Sequence, residues 1–159
     1  MRLRSIRSLI YLAAGLGLIV ALFAAAEFFD ASLSQVCSFG GGFSCATVLK
    51  SGLTTTFGVQ DWIWGVLGFV AILAVAALAE AHRKDLRYAY ALLVLTTAGV
   101  GLAMYLLYVE VFRIGSLCPV CVTAYGFGIL SWVGAILLVR RMQQRAAAPE
   151  PSGTAEPAA

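Results

Sequence analysis

Four long apolar runs constrain this chain more than any other feature of its sequence. A helix that crosses the hydrocarbon core of a membrane, about 30 Å thick, needs roughly 20 apolar residues. Of the 159 residues, 61% are hydrophobic and only 12% are charged, whereas about 25% of the residues of a soluble domain are charged. We therefore predict an all-α membrane protein, a bundle of four transmembrane helices. The runs lie at residues 8–26, 62–79, 86–109 and 117–139.

The predicted membrane domain covers residues 1–145. Residues 146–159 are rich in Pro and Ala and have no apolar pattern, which predicts a disordered cytoplasmic tail. With their flanks included, the four helices are expected at about 8–29, 62–80, 86–109 and 117–139.

The first run also fits a cleaved signal peptide. A basic segment precedes it, and Ala24 to Ala26 offer a small-residue cleavage site. Its 19 uncharged residues exceed the roughly 7–15 expected for the apolar core of such a peptide. The length favours a retained helix.

The basic residues indicate the orientation of the helices, because the cytoplasmic flanks of membrane helices collect Lys and Arg. Of the eleven basic residues, only Lys50 and Arg113 lie outside the two termini and the connection between the second and third runs. Both termini are therefore expected in the cytoplasm, and segments 28–61 and 110–116 on the outer face. The net charge of +3 then reflects topology and not a nucleic-acid-binding surface, which would be a basic patch on a soluble face.

The outer segment 28–61 is the one long connection, and such a length usually carries a function or its own local structure. Gly40 to Gly42 give it a flexible point. Residues 45–51 are expected to form a short helix on the membrane surface, with Ser44 as its cap.

Glycines in the last three runs are expected to let helices pack closely where lipid gives no hydrophobic drive for association. Ordinary glycine usage in membrane helices is the alternative interpretation. The residues are Gly65, Gly68, Gly99, Gly101, Gly126 and Gly128.

All four cysteines, Cys37, Cys45, Cys118 and Cys121, fall on the predicted outer side, although the orientation was inferred without them. Disulfides persist in oxidising compartments and are rare in the cytosol. Two pairs on the outer face therefore indicate a redox role, a structural role, or both.

The CPVC motif opens the fourth run, with Pro119 in a first-turn position that tolerates a missing N–H. Cys118 should feel the positive end of the helix dipole there, which favours the thiolate that exchanges disulfides. Cys121 lies one turn deeper, where a lipid-soluble electron acceptor could reach it. Tyr125 follows four residues later on the same face, as a hydrogen-bonding group for a quinone or as an interfacial aromatic anchor.

Three other uses of the cysteines are less favoured by their spacing. A structural zinc site wants two closely spaced pairs, but Cys37 and Cys45 enclose seven residues. Covalent haem attachment needs a histidine directly after the CxxC, and Val122 stands there. Purely structural disulfides remain open, but a CxxC bridge closes so small a loop that its entropic contribution is small.

These residues together resemble the vitamin K epoxide reductase family over nearly the whole chain. The likeness consists of a loop pair C-x₇-C, a hydroxyl six residues after it (Ser51), Trp64-Gly65 near the start of the second helix, and C-x-x-C-x-x-x-Y opening the fourth. It implies a four-helix bundle around a quinone pocket, in the inner membrane of a bacterium, with the redox site on the outer face and no metal.

The resemblance also implies a role for each residue. By position, Cys37 would meet a reduced thioredoxin-like partner and Cys45 would pass electrons to Cys118, while Cys121 would contact the quinone, of menaquinone or ubiquinone type. The hydrogen-bonding groups at the pocket would be Tyr125 and Asp61, with Ser51 supporting. Animal members carry an amide near Asp61, and a carboxyl group would bind a quinone oxygen only when protonated.

The function expected from this resemblance is a quinone-dependent thiol oxidase that reoxidises a disulfide-donating partner. Many bacterial members continue into a thioredoxin-like domain, whereas this chain stops after a short tail, so the partner is expected to be a separate thioredoxin-fold protein of the outer compartment. The thiolate near the membrane surface would add to the quinone or transfer charge to it.

Two rival functions remain. The disulfide bond formation protein B family also has four helices and four cysteines, but its CxxC lies in the first outer segment, the reverse of the order here. A membrane scaffold or small-molecule carrier stapled by two disulfides is the other. A transport path would be marked by charges within the membrane, and the helix interiors are expected to carry none.

Overall fold

The structure is a computed structural model, and it describes residues 3–30, 32–33, 42–51, 55–56, 58–82 and 85–147. Cys37 and the predicted tail beyond Ala147 lie outside the described residues. The described secondary-structure elements are α1 (Leu3–Phe29), α2 (Cys45–Leu49), β1 (Thr55–Thr56), β2 (Val59–Gln60), α3 (Asp61–Ala81), α4 (Leu86–Val109), a π-helical turn (Glu110–Ile114) and α5 (Pro119–Ala147).

The predicted four-helix membrane bundle is confirmed. The helices α1, α3, α4 and α5 are each long and apolar enough to cross a membrane, and large apolar side chains such as Leu12, Leu67 and Val94 stay exposed on the outside of the bundle. In water such a surface would be unstable, whereas lipid covers it at no cost. The fourth membrane helix, α5, continues well past the predicted end at residue 139, because its backbone hydrogen bonding carries on through the basic flank.

Side-chain hydrogen bonds show how the last two helices run past each other. The Trp132 indole donates to the Thr97 hydroxyl at 2.9 Å, and the Gln143 amide donates to the Tyr90 hydroxyl at 2.6 Å. The later residue on α5 is thus bonded to the earlier residue on α4, so the two helices are antiparallel.

Close packing occurs at glycines other than those predicted. A Cβ atom added at Gly134 would lie 2.6 Å from Ile10, and one at Gly17 would clash with the ring of Phe69. Of the six predicted glycines, only Gly65 has a neighbour within 4 Å of its Cβ position, at an ordinary 3.5 Å. The prediction was wrong, and the alternative of ordinary glycine usage fits the six residues better. The close approaches are at Gly17 of α1 and Gly134 of α5, which were not considered.

The predicted short helix after Ser44 is confirmed as α2. The Ser44 side chain accepts a hydrogen bond from the Thr47 N–H at 3.3 Å, as an N-cap should. This helix contacts both the end of α1 and the π-helical turn. It therefore lies across one end of the bundle, which we call the cysteine end. The opposite end, where α1 begins and α5 finishes, is the terminal end.

Two carboxylic acids lie inside the bundle, contrary to the expectation that its helices carry no interior charge. Glu27 is 0% exposed in the last turn of α1, and Glu110 is 1% exposed in the π-helical turn. Segment 110–116 was expected to be an outer connection, but the helix continues through Ile114 before Gly115 ends it in the left-handed conformation, at φ 71°. The prediction failed because both helices extend beyond their apolar runs.

Candidate active site

Backbone pairing brings the loop before α2 against the segment before α5. The Ser44 N–H donates to the Leu117 carbonyl at 3.1 Å, and the Leu117 N–H donates to the Gly42 carbonyl at 2.8 Å. The next residue of each segment is a cysteine, so this pairing places Cys45 beside Cys118. Two residues distant in sequence are thereby held together by main-chain hydrogen bonds, which do not depend on side-chain packing.

The sulfur atoms of Cys45 and Cys118 lie 3.4 Å apart, and both side chains are 0% exposed. Cys45 is disulfide-bonded, whereas Cys118 and Cys121 are free thiols. A free thiol in contact with a sulfur atom of a disulfide is the arrangement from which thiol–disulfide exchange starts, since the reaction is attack of a thiolate on a disulfide sulfur.

The start of α5 positions the Cys118 sulfur. Cys118 directly precedes the first residue of this helix, and its Sγ accepts a hydrogen bond from the Cys121 N–H at 3.2 Å. An N–H at the start of a helix carries the positive end of the dipole and has no partner within the helix. The Cys118 sulfur is therefore held by a main-chain hydrogen bond at the start of α5, next to Cys45.

A cavity of about 140 Å³ lies directly below the cysteines, inside the bundle. Its wall is mostly apolar, and an apolar cavity of roughly this size accommodates a single six-membered ring. The polar or reactive side chains on the wall come from three membrane helices and the π-helical turn. They are Asp61, Trp62, Trp64, Thr96, Glu110, Cys121 and Tyr125.

The cavity suits a ring that carries hydrogen-bond acceptors. The Trp62 indole N–H is buried and has no acceptor among the described residues. A buried donor without a partner is costly, and a quinone carbonyl oxygen would satisfy it. The wall thus offers apolar contact for a ring and a donor for its oxygen.

Glu110 connects the cysteine motif to the cavity. One of its carboxyl oxygens accepts a hydrogen bond from the Cys118 N–H at 3.1 Å, and the other accepts one from the Tyr125 hydroxyl at 2.7 Å. The π-helical turn positions this side chain, and such turns occur frequently at functional sites.

A sequence model of the vitamin K epoxide reductase family matches residues 8–136. The chain belongs to the vitamin K epoxide reductase family. Proteins of this family are oxidoreductases that act on thiols with a quinone, so the chain is a membrane protein with quinone-linked thiol and disulfide chemistry. The family assignment fits a site in which a free CxxC lies between a disulfide-bonded cysteine and an apolar cavity.

The structure brings most of the predicted site residues together. Cys121, Tyr125 and Asp61 line the cavity, while Cys118 and Cys45 meet just beside it. Asp61 is the first residue of α3, at the level of the cysteines.

Two predicted residues are not part of that cluster. Ser51 does not line the cavity, and its hydroxyl donates to the Val48 carbonyl at 2.9 Å. This hydrogen bond thus links a residue just beyond α2 to the last turn of that helix. Cys37 lies outside the described residues, so its expected role stays a prediction.

Sequence reasoning missed two residues of the site. Glu110 comes directly after an apolar run and eight residues before Cys118, and an acid at a membrane boundary so close to a reactive cysteine was a usable signal. Trp62 gave no such signal, because an aromatic residue at the start of a membrane helix usually serves as an interfacial anchor.

A metal ion has no ready ligand set in the described part of the chain, where no three His, Cys, Asp or Glu side chains come together in a suitable group.

Proposed function

We propose that the protein is a quinone-dependent thiol oxidase that reoxidises a thioredoxin-fold disulfide donor. Electrons pass from the partner's dithiol to Cys37 and Cys45, then to Cys118 and Cys121, and finally to a membrane quinone of the menaquinone or ubiquinone type. The contact between Cys45 and Cys118, at 3.4 Å, is the single observation that carries this proposal.

The exchange between the two pairs follows from that contact. Once the partner has reduced the loop pair, the Cys45 thiolate attacks the Cys118 sulfur of the Cys118–Cys121 disulfide and releases the Cys121 thiolate. The Cys37 thiolate then attacks Cys45 and releases Cys118. Two electrons have thereby passed from Cys37 and Cys45, which form a disulfide again, to Cys118 and Cys121, which are now a dithiol.

The redox states of the cysteines in the structure correspond to one intermediate of the proposed cycle. Cys45 is disulfide-bonded while Cys118 and Cys121 are free, which is the state expected after electrons reach the inner pair and before the quinone removes them. The dithiol then gives two electrons and two protons to the quinone, which leaves as the hydroquinone, and the Cys118–Cys121 disulfide forms again.

Placement of Cys121 supports the last step. Its side chain is half-buried on the cavity wall, whereas Cys118 is fully buried beside Cys45. A quinone in the cavity would therefore meet Cys121 and not Cys118. Tyr125, Asp61 and Trp62 are the polar groups on the wall that would orient its oxygens.

Quinol formation in membranes tests the proposal. Membranes that contain the protein are given an excess of a reduced thioredoxin-fold protein, and hydroquinone is followed optically with the wild type and with Cys118→Ala. The wild type should form hydroquinone in proportion to the partner oxidised, and the variant should form none above membranes that lack the protein. Equal, background rates for both would favour a stapled scaffold instead.

The expected sidedness can be tested separately. We propose that the cysteine end faces the outer compartment of a bacterial inner membrane, because the terminal end carries the arginine-rich flanks. After reduction, a membrane-impermeant maleimide should label the cysteines of the cysteine end in intact cells. Labelling that needs permeabilised cells would place the site on the cytosolic side and would contradict the proposed partner.

A further inference from the structure

Glu110 has a position that thiol–disulfide exchange alone does not explain. It is 1% exposed, it lines the cavity, and its two carboxyl oxygens are bonded to different parts of the site. One oxygen accepts a hydrogen bond from the Cys118 backbone N–H at 3.1 Å, and the other accepts one from the Tyr125 hydroxyl at 2.7 Å. A carboxylic acid so fully buried at the end of a membrane helix indicates a functional group, since its charge is costly there.

The hydroxyl of Tyr125 has one hydrogen, and in the structure it points to Glu110. While Glu110 is ionised it can only accept, so Tyr125 has no hydrogen left for a molecule in the cavity. If Glu110 takes up a proton, its O–H can donate to the Tyr125 oxygen. The Tyr125 hydrogen is then free to turn towards the cavity. The protonation state of Glu110 therefore sets what Tyr125 offers to a bound quinone.

We infer that Glu110 relays a proton from the CxxC dithiol to the quinone through Tyr125. This inference rests on the proposed function, because it concerns the same quinone reduction. It assigns a catalytic role to a carboxyl group that adjoins the cysteine motif on one side and the cavity on the other.

The atoms and electrons of the step balance. When the Cys118–Cys121 disulfide forms, two S–H bonds break, one S–S bond forms, and two electrons and two protons pass to the quinone. The Cys121 proton goes to the nearer quinone oxygen, because Cys121 is on the cavity wall. The Cys118 proton goes to Glu110, which protonates Tyr125 as Tyr125 gives its own hydrogen to the other oxygen.

The surroundings leave Glu110 able to change its charge. The ionisable groups around it are Asp61 from α3 and Cys118, Cys121 and Tyr125 from the start of α5, and both carboxyl groups interact electrostatically with Cys121 and Tyr125. None of the described residues on the cavity wall is Lys, Arg or His. No fixed cation in that set holds Glu110 permanently as a carboxylate, so the group can load and release a proton in each cycle.

Glu110→Gln tests the relay, because glutamine keeps the size of the side chain and an acceptor oxygen but cannot carry a proton. The purified protein is reduced with a small dithiol and mixed with a short-chain benzoquinone or naphthoquinone in a single turnover. Hydroquinone formation should slow by about 100-fold, the lower end of general acid–base effects. The variant's rate should also fall steeply as the pH rises, because its proton must now come from solvent.

Quinone binding is measured in parallel by protection of Cys121 from alkylation. The half-protecting quinone concentration should be the same for Glu110→Gln and the wild type within about threefold, since the relay acts on the proton and not on binding. Weakened binding with a wild-type pH profile would show that Glu110 only shapes the cavity, and would overturn the inference.

Tyr125→Phe supplies the second half of the test. Removing either member of one relay should cost the same, so the double variant should be no slower than either single variant. Multiplied losses, or a wild-type rate in Glu110→Gln, would overturn the relay. If Glu110→Gln does not fold, Glu110→Asp takes its place, and it should keep the wild-type pH profile because it still carries a proton.

Glu80→Gln is the matched control, since Glu80 also accepts a hydrogen bond from a tyrosine hydroxyl, at the other end of the bundle. It should reduce quinone at the wild-type rate. A wild type that forms no hydroquinone would contradict the proposed function itself, whereas an active wild type with an unaffected Glu110→Gln would contradict the relay alone.

Discussion

The two ends of the bundle carry the same pair of side chains in different surroundings. At the cysteine end, Tyr125 donates to Glu110 at 2.7 Å, and at the terminal end, Tyr11 donates to Glu80 at 3.2 Å. Each pair joins two different helical segments, and each lies on the wall of a cavity. A tyrosine–glutamate hydrogen bond is therefore not by itself a mark of the active site.

The surroundings separate the two pairs. The terminal-end cavity is larger, about 770 Å³, and its described wall includes Arg4, Arg7 and Arg145. The cysteine-end cavity, about 140 Å³, has no basic residue on its described wall and has Cys121 instead. Arginines on the wall give the Tyr11–Glu80 pair a basic environment, whereas the described wall around Glu110 has no such charge. The residues around each tyrosine–glutamate pair therefore decide whether the pair has a structural or a chemical role.

Cys121→Ala should give the largest difference between the two ends, because it removes a reactive sulfur atom from the wall of the cysteine-end cavity. Quinone reduction should fall by more than about 10³-fold, on the scale seen when a nucleophile is deleted. The rate of hydroquinone formation in a single turnover checks this. A residual rate above about a tenth of wild type would assign contact with the quinone to another group.

Gly134→Ala should affect stability and leave the chemistry intact. The added Cβ would lie 2.6 Å from Ile10, where α1 and α5 pack closely, and such overpacking costs about 1–3 kcal/mol. Gly126→Ala is the control on the same helix, because nothing lies within 4 Å of its Cβ position. Thermal unfolding in lipid nanodiscs should separate the two variants, and equal midpoints would contradict the packing.

Ser44→Ala should loosen the cysteine end without removing any reactive group. The loss of the cap hydrogen bond to Thr47 should cost about 1 kcal/mol, and Cys45, the first residue of α2, should spend less time against Cys118. We expect the exchange between the pairs to slow by a few fold while quinone reduction by a pre-reduced protein is unchanged. An equal slowing of both steps would show that the cap acts more widely.

Tyr11→Phe should have the smallest effect. It removes the terminal-end hydrogen bond to Glu80 but leaves every group of the cysteine end in place. The rate of quinone reduction should change by less than about twofold, within the range of substitutions far from a site. A loss as large as that of Tyr125→Phe would mean that the two ends are coupled, and the contrast between them would fail.

The fold could largely be predicted from the sequence, because it depends on features that are local in the chain. Length and apolar character define the membrane helices, and Ser44 followed by CATVL defines the start of α2. The exact helix ends were not predictable in this way. Glu27 falls within the predicted first helix, 8–29, whereas Glu110 was expected in an outer connection and lies in a helical turn that contacts α2.

The site could be predicted only in part. The spacing of Cys118, Cys121 and Tyr125 on one helix is a local pattern, so the sequence indicates it directly. The contact of Cys45 with Cys118 arises from backbone pairing of Ser44 with Leu117, which joins segments more than seventy residues apart and has no local signature. Glu110 had a local signal, its position eight residues before Cys118, but its hydrogen bonds to Cys118 and Tyr125 appear only in the structure.

The pairing of Cys45 with Cys118 is tested most directly by trapping it. In Cys121→Ala, the free Cys118 can attack Cys45 of the Cys37–Cys45 disulfide and release the Cys37 thiolate, and the sulfur that would then displace Cys45 from Cys118 is missing, so the exchange should stop at the mixed disulfide. After incubation without reductant and alkylation of free thiols, mass spectrometry should find a peptide that links Cys45 to Cys118. A Cys118 that is alkylated throughout, with Cys45 never bound to it, would contradict the account.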